Sequence, residues 1–416
     1  MAREYKDSGI EWIGQIPKEW KMTRGKFLFS VLNGYAFDSS LFTNDTNMTP
    51  LIRIRDINSS ETEAYYMGEY PSDYIVHKDD VLVGMDGDFN VAKWKGNDAL
   101  LNQRVCKLKE FSETYISQYA YYILPMLLKN KNDVTYATTV KHLSSNDILN
   151  FDFIVPSLSE QQKIADYLDK VCGEVDEMVA IQETMIEELK AYKQSVITEA
   201  VTKGLNPNAP MRNSGIDWIG EIPEHWEVIR IKHLLNERKE RSMEGLEEPL
   251  SMSQKYGLIP TKEMDMIPNI ASSFVGAKLV YQNDLVFNKL KAHLGVFSVS
   301  DYDGLVSPDY AVYFSIGKAN VKYLEYLFKT PQYIGEFIKL SSGVGAGLTR
   351  LYTSDLYSIK AILPPIDEQN MISAYIVQKS SEIDSLIALK QAKIEELKEY
   401  KKSVIYEYVT GKKEVV

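Results

Sequence analysis

Residues 7–20 read DSGIEWIGQIPKEW and return at 213–226 as NSGIDWIGEIPEHW. Residues 187–204, EELKAYKQSVITEAVTKG, return at 395–412 as EELKEYKKSVIYEYVTGK. Between these anchors, IVPSLSEQQKIADYL at 154–168 answers ILPPIDEQNMISAYI at 362–376. The offset moves only from 206 to 208 residues, so the chain is a duplicated half. Two similar halves most simply engage two similar things, or two parts of one thing.

Each half opens with Gly-Ile-x-Trp-Ile-Gly-x-Ile-Pro-x-x-Trp. Pro17 and Pro223 stop regular helix there, and the tryptophans read as packing anchors. Short β-type runs follow at Leu51–Arg55, Asp80–Gly84, Val105–Leu108, Leu285–Phe287 and Tyr310–Phe314, broken by Gly, Asn and Asp turns. A helical stretch at Ile116–Leu128, matched by Val321–Leu340, closes each head. The fold class is α+β, with heads at 1–155 and 213–363. Long helices are expected at 156–204 and 364–412, a Pro/Asn linker at 205–212 and a tail at 413–416.

The long helices carry the clearest periodicity. In the first, Ile164, Leu168, Val171, Val175, Met178, Met185, Leu189, Tyr192 and Val196 alternate steps of three and four, with Gln182 filling the gap. In the second, Ile372, Ile376, Ile383, Leu386, Leu397, Tyr400 and Val404 match them. Lys379, Lys390 and Lys393 interrupt that seam, and Ile387 and Ile394 shift it to a neighbouring stripe. Pro156 and Pro364–Pro365 set the starts, Ser159 and Asp367 stand where a cap is wanted, and Gly204 and Gly411 sit at the ends. About 40 residues at 1.5 Å each make a rod of about 60 Å. The first rod leads from one head to the next. If the rods bury each other's stripe, the second must run back, antiparallel. The expected product is a pseudo-two-fold dumbbell: two similar heads separated by two long antiparallel coiled-coil helices.

The bulk numbers bound the class. At 416 residues, 44% hydrophobic and 25% charged, the chain has room for more than one core. Apolar runs are too short for a bilayer, so no membrane partner is expected, and the two cysteines form no framework; a cytoplasmic protein is the expectation. A formal charge of −11 argues against indiscriminate nucleic-acid binding but leaves room for local basic faces.

Catalytic motifs are missing. There is no GxxxxGK[ST] phosphate loop and no Asn-Pro-Pro-aromatic run, and the five histidines lack metal-ligand spacing. The Ser342–Gly347 glycines follow a helical stretch rather than a strand, which argues against a dinucleotide loop. What recurs is polar, basic and aromatic residues in the head loops: Arg53, Arg55 and Asn58; Lys93, Trp94, Lys95 and Asn97; Asn102, Gln103 and Arg104; Lys141 and His142. The second head has Gln254, Lys255 and Tyr256, then Asn288, Lys289, Lys291 and His293, then Arg350 and Tyr352. Arg and Lys suit guanine edges, Asn and Gln adenine edges, and all suit phosphates. The scaffold segments repeat nearly letter for letter while the head interiors match loosely, so two different targets are expected. The residues alone also admit a coiled-coil adaptor with two protein-binding heads, or a self-sufficient DNA methyltransferase or nuclease.

The opening motif at Ser8–Trp20 and Ser214–Trp226, with the Pro-x-x-x-Glu-Gln-x-x-Ile helix start at Pro156–Ile164 and Pro364–Ile372, resembles the specificity subunits of type I restriction–modification systems. The resemblance covers both copies. It implies two target-recognition domains, each reading one half of a split, asymmetric site in double-stranded DNA. It also implies paired helices that dock two modification (methyltransferase) subunits, with restriction subunits alongside. Such a chain is not catalytic and binds no cofactor; S-adenosylmethionine, ATP and Mg belong to the partner subunits. This sequence departs from the pattern in its lysine-interrupted second seam and in Ser157-Leu158-Ser159 at the first helix entry.

Overall fold

The repeated tryptophan motif folds as a hairpin in both halves. Tyr5–Asp7 pairs antiparallel with Gln15–Pro17, and Met211–Asn213 with Glu221–Pro223. The turns are alike: Ser8 N–H donates to Gly14 O, and Ser214 N–H to Gly220 O, both at 2.9 Å. The hairpin ends by burying Trp20 or Trp226. The computed structural model describes residues 3–134, 142–253, 256–265, 273–343 and 349–415.

Two compact units result. One comprises Met1–Gln182 with Ala392–Val416, the other Glu183–Gln391. Each has a four-stranded antiparallel sheet. In the first it is built from β1 (Ser30–Asn33), β2 (Val81–Gly84), β3 (Val91–Lys93) and β4 (Val105–Lys109), in the order β3-β2-β4-β1. In the second, β5 (Leu235–Glu237), β6 (Leu285–Asn288), β7 (Phe297–Val299) and β8 (Tyr310–Ser315) take the matching order β7-β6-β8-β5. A two-stranded clamp lies beside each sheet: Lys21–Arg24 with Asp152–Val155, and Glu227–Arg230 with Lys360–Leu363. The first head adds a five-stranded sheet that includes Thr49–Ile52 and Ala99–Leu101. There the expected Leu51–Arg55 strand stops at Ile52, because Asp56 accepts the Arg53 N–H and folds the chain into a turn.

The helix closing the first head runs Ser117–Val134. Its counterpart is two helices, Val321–Phe328 and Pro331–Leu340, rather than one. Pro331 has no N–H to continue a helix but suits the first turn of a new one, so the chain breaks at Lys329–Thr330.

The long helices are α1 (Leu158–Lys203, 46 residues) and α2 (Ile366–Val409, 44 residues), and each begins in one unit and ends in the other. The first start is capped by Ser157, not Ser159. Ser157 Oγ accepts the Glu160 N–H at 3.3 Å while Glu160 Oε2 accepts the Ser157 N–H, a reciprocal pair that fixes the first turn. Asp367 lies inside the first turn of α2, where a carboxylate favours the positive helix end without capping it.

Within each unit the helices run antiparallel. In the first, the Tyr167 ring packs at a tilt against Tyr408 (ring centroids 4.4 Å apart) and Lys401 meets Asp176 at 2.6 Å. In the second, Lys193 meets Asp384 at 2.7 Å, while Ala200 and Val201 share a core with Ile372 and Ile376. The two ion pairs are repeat equivalents, since each lysine and each aspartate shifts by 208 residues into the other pair.

The seam differs from the expected one by one residue. Ile164, Leu168, Val175, Ile372, Ile376, Ile383 and Leu397 are buried, and Val171 and Leu189 half-buried. Met178, Met185 and Leu386 are exposed by 49%, 39% and 46%, and the expected seam residues Tyr192 and Tyr400 by 58% and 53%. From Leu168 the first step is four, to buried Cys172, and the rhythm continues through Val175, Val179, Gln182 and Ile186. In α2 the seam runs Ile383, Ile387, Lys390, Ile394 and Leu397. Both phases satisfy a 3–4 alternation; the one that buries the β-branched Ile186 and Ile394 is taken, leaving the methionines as a second stripe.

Candidate functional site

The repeated residues bind helix ends to heads, and they do so twice with the same atoms. Trp20 Nε1 donates to Glu160 Oε1 at 3.2 Å, and Trp226 Nε1 to Glu368 Oε1 at 3.2 Å. Gln161, fully buried, donates to the Pro156 and Thr114 carbonyls and accepts the Ile116 N–H. Gln369 donates to Pro364 and Lys318 carbonyls and accepts the Asn320 N–H. Tyr119 OH donates to Val409 O at 2.9 Å, and Tyr323 OH to Val201 O at 3.1 Å. This explains the Glu-Gln pair: one residue satisfies the buried indole, and the other satisfies the backbone where helix and head meet.

That common frame carries a loop corner whose chemistry is not common. Gly84 of β2 pairs with Val105 of β4, and Asn288 of β6 with Tyr310 of β8. The residues just beyond are counterparts: Met85 with Lys289, and Arg104 with Asp309. Leu143 N–H donates to Met85 O at 2.8 Å and Leu351 N–H to Lys289 O at 3.0 Å, so His142 answers Arg350.

In the first head the corner is closed by its own carboxylate. Asp86 Oδ1 lies 2.8 Å from His142 Nδ1, and Asp86 Oδ2 lies 3.3 Å from Arg104 Nη1. The arginine and histidine side chains remain more than half exposed, pointing a held donor surface outward. In the second head the corner is cationic. Arg350 Nη2 meets Asp309 Oδ1 at 3.2 Å, while its Nε is buried and finds no hydrogen-bond partner among the described residues. Burial, together with the Lys278 and Arg350 charges, pushes the Lys289 ammonium below the usual lysine range. Lys278 itself is neutralised by Glu237 at 3.0 Å. Asn288 Oδ1 accepts the Leu290 N–H, and His293 Nδ1 lies 3.5 Å from Thr349 Oγ1. Lys291 and Tyr352 are exposed nearby in sequence.

The other sequence candidates divide by partner. Arg53 is held by Asp56 at 3.3 Å and Glu63 at 3.0 Å, and Arg55 faces Glu63 at 3.5 Å. Lys93 is a clamp to α1: its Nζ meets Asp169 at 3.0 Å and lies over the Tyr121 and Tyr122 rings. Lys93, Tyr121, Tyr122 and Asp169 line a cavity of about 250 Å³, and Asn58 and Lys95 are exposed at its rim. The Asn97 carbonyl accepts the Trp94 indole at 2.7 Å, and Asn102 Oδ1 accepts the exposed Gln103's N–H at 2.9 Å. Tyr256 donates to Asp265 at 3.0 Å. Lys141, Gln254, Lys255 and most of the 342–347 glycine segment lie outside the described residues. Sequence reading passed over Met85, Asp86 and Asp309. The signal that finds them is the strand register, which aligns the loosely matching interiors once β2 and β6 are paired. Among the described residues no three His, Cys, Asp or Glu side chains are grouped for a metal ion, and no helix is long and apolar enough to cross a membrane.

Residues 17–191 match the family described as type I restriction modification DNA specificity domain. Among individual proteins, the chain is 35% identical over 248 residues to the type I restriction enzyme EcoBI specificity subunit of Escherichia coli, covering 57% of this chain and 51% of that one. It therefore spans about half the length of that relative. It is 23% identical to the MjaVIII specificity subunit of Methanocaldococcus jannaschii, over 82% of this chain and 80% of the other. In fold it is similar, with a TM-score of 0.66 and 14% identity, to a chain from a structure on complex assembly and conformational transition of the type I R-M system, over 95% of this chain and 99% of that. The HsdS subunit from Thermoanaerobacter tengcongensis gives a TM-score of 0.50 at 16% identity, over 95% and 98% of the two chains.

Proposed function

We propose that this chain is a member of the type I restriction–modification specificity-subunit family and the DNA-recognition subunit of such a complex. It reads a bipartite, asymmetric site in double-stranded DNA, one half-site per head. The observation that carries this reading is one frame with two different loop corners. A shared scaffold presents Asp86, Arg104 and His142 on one head and Lys289, Arg350 and Asp309 on the other. Identical heads would read a symmetric site; these present different donors and acceptors to a groove.

Two modification subunits are the proposed helix partners. The exposed apolar stripe supports this, because it repeats. Met178 and Ile181 with Tyr400 in the first unit are matched, 208 residues away, by Leu386 and Leu389 with Tyr192 in the second. Apolar residues left outside a seam at repeat-equivalent positions fit two copies of one partner. Methyl transfer with S-adenosylmethionine, and cleavage with ATP and Mg, are assigned to the modification and restriction subunits, and this chain to recognition alone. Single-molecule sequencing of genomic DNA with and without this gene tests the reading. A split asymmetric methylated motif that vanishes with the gene is expected; an unchanged methylation pattern contradicts it.

A further inference from the structure

The second head has cationic groups that its own carboxylates, Asp309 and Glu237, balance only in part. Lys289 Nζ has neither an ion pair within 4 Å nor a hydrogen bond among the described residues, although its side chain is half-buried. Arg350 spends one nitrogen on Asp309 and holds Nε buried and unpartnered. The reachable donors are the Lys289 ammonium and the guanidinium edge of Arg350 that Asp309 leaves free, so the corner has spare donors for a group rich in acceptors. The first head shows what the frame needs structurally at the same place: Met85 stands where Lys289 stands, and accepts the same backbone hydrogen bond. The lysine charge is therefore not required for the fold.

We propose that Lys289 and Arg350 form a specificity-determining pair that reads a guanine in the half-site of the second head. The inference rests on the DNA-reading function above and names its chemistry. Guanine offers two acceptors, O6 and N7, side by side on its major-groove edge, and lysine or arginine is the usual partner for them. Adenine places a donor beside N7, which two cations repel; thymine offers one acceptor and a methyl group. A phosphate oxygen would also satisfy the cations. Asp309 argues against it: its exposed carboxylate, 3.2 Å from Arg350, repels a second anion but tolerates a neutral base.

The test uses the whole complex, with the chain expressed beside its modification subunits and its methylated motif mapped by single-molecule sequencing. In wild type, one half-site contains an invariant guanine. Lys289→Met, which installs the residue of the first head, is expected to relax that position, with discrimination for guanine falling about ten- to a hundred-fold. The other half-site stays intact and reports a folded complex. An unchanged motif overturns the inference. So does a uniform weakening of duplex binding with a salt slope smaller by about one, the signature of a phosphate contact. Should Lys289→Met abolish methylation altogether, Lys289→Gln decides: a shift from guanine towards adenine supports the pair, and a retained guanine overturns it. A wild-type complex with no sequence-specific methylation would sink the DNA-reading function itself, a result distinct from an intact motif in the variants.

Discussion

At the ends of the long helices the two heads use the same atoms; at the ends of β2 and β6 they share almost nothing but backbone. Trp20, Glu160, Gln161 and Tyr119 have counterparts in Trp226, Glu368, Gln369 and Tyr323 that make the same hydrogen bonds to within about 0.3 Å. Yet one loop corner centres on a carboxylate and the other on a guanidinium. Packing demands explain the first fact. A buried indole, amide or phenol must find its partner, and few substitutions keep one. The corners lie at loop ends beyond the strands, where the frame fixes the backbone hydrogen bond but not the side chain, so their residues are free to differ with what they contact.

The comparison is sharpened first by removing the anchors. Trp20→Ala and Trp226→Ala should each cost about 3–5 kcal/mol, because each leaves a large cavity in a core. Chemical denaturation of the two variants should give similar losses; a large difference would mean that the frames are not equivalent.

The closing glycines should break the symmetry. Both adopt positive φ, +77° at Gly204 and +70° at Gly411. A Cβ at Gly411 would lie 2.5 Å from Pro17 Cδ and 2.9 Å from Trp20 Cη2, ring atoms that cannot retreat. At Gly204 it would meet the flexible end of Glu368 at 3.0 Å and the Trp226 ring at 3.3 Å. Gly411→Ala is expected to cost about 3 kcal/mol and Gly204→Ala about 1–2 kcal/mol. Thermal melting that ranks them the other way contradicts this packing.

Acid separates the heads by a buried group present in one of them. Burial pushes the Glu325 carboxyl up, but Lys329 at 2.6 Å and Lys322 at 2.9 Å outweigh it and hold it below the usual carboxylate range. A carboxylate depressed in the folded state gives stability that is full above the unfolded value, about 4.3, and is lost as pH falls through the lower folded value. Glu325→Gln should therefore cost about 2 kcal/mol near neutrality and little at the acid end of that window. Denaturation midpoints across pH 3–7 check this; a cost independent of pH counts against it.

The smallest effect concerns the seam. Lys193–Asp384 and Lys401–Asp176 are partly exposed, so double-mutant cycles should give about 0.5 kcal/mol for each pair, equal within error and weaker in high salt.

The duplication, the α+β heads and the helix pair were legible because packing imprints periodic and repeated residues. The one-residue phase error at Met178 and Met185 arose where two 3–4 rhythms coexist: one buries against the second helix, and the other repeats on the outside. Sequence cannot rank two apolar stripes that differ only in what covers them. The corner was half legible. Lys289, Arg350 and Arg104 stood out as cations, but Asp86 and Asp309 did not, because a lone aspartate in a loop carries no pattern until the strand register puts it beside an arginine.

Replacing residues 25–150 with the corresponding segment of a relative, and mapping the methylated motif of the assembled complex, tests the central claim most directly. Two heads with one frame and separate reading surfaces predict that one half-site changes and the other is retained base for base. A motif in which both halves change, or neither does, contradicts the account.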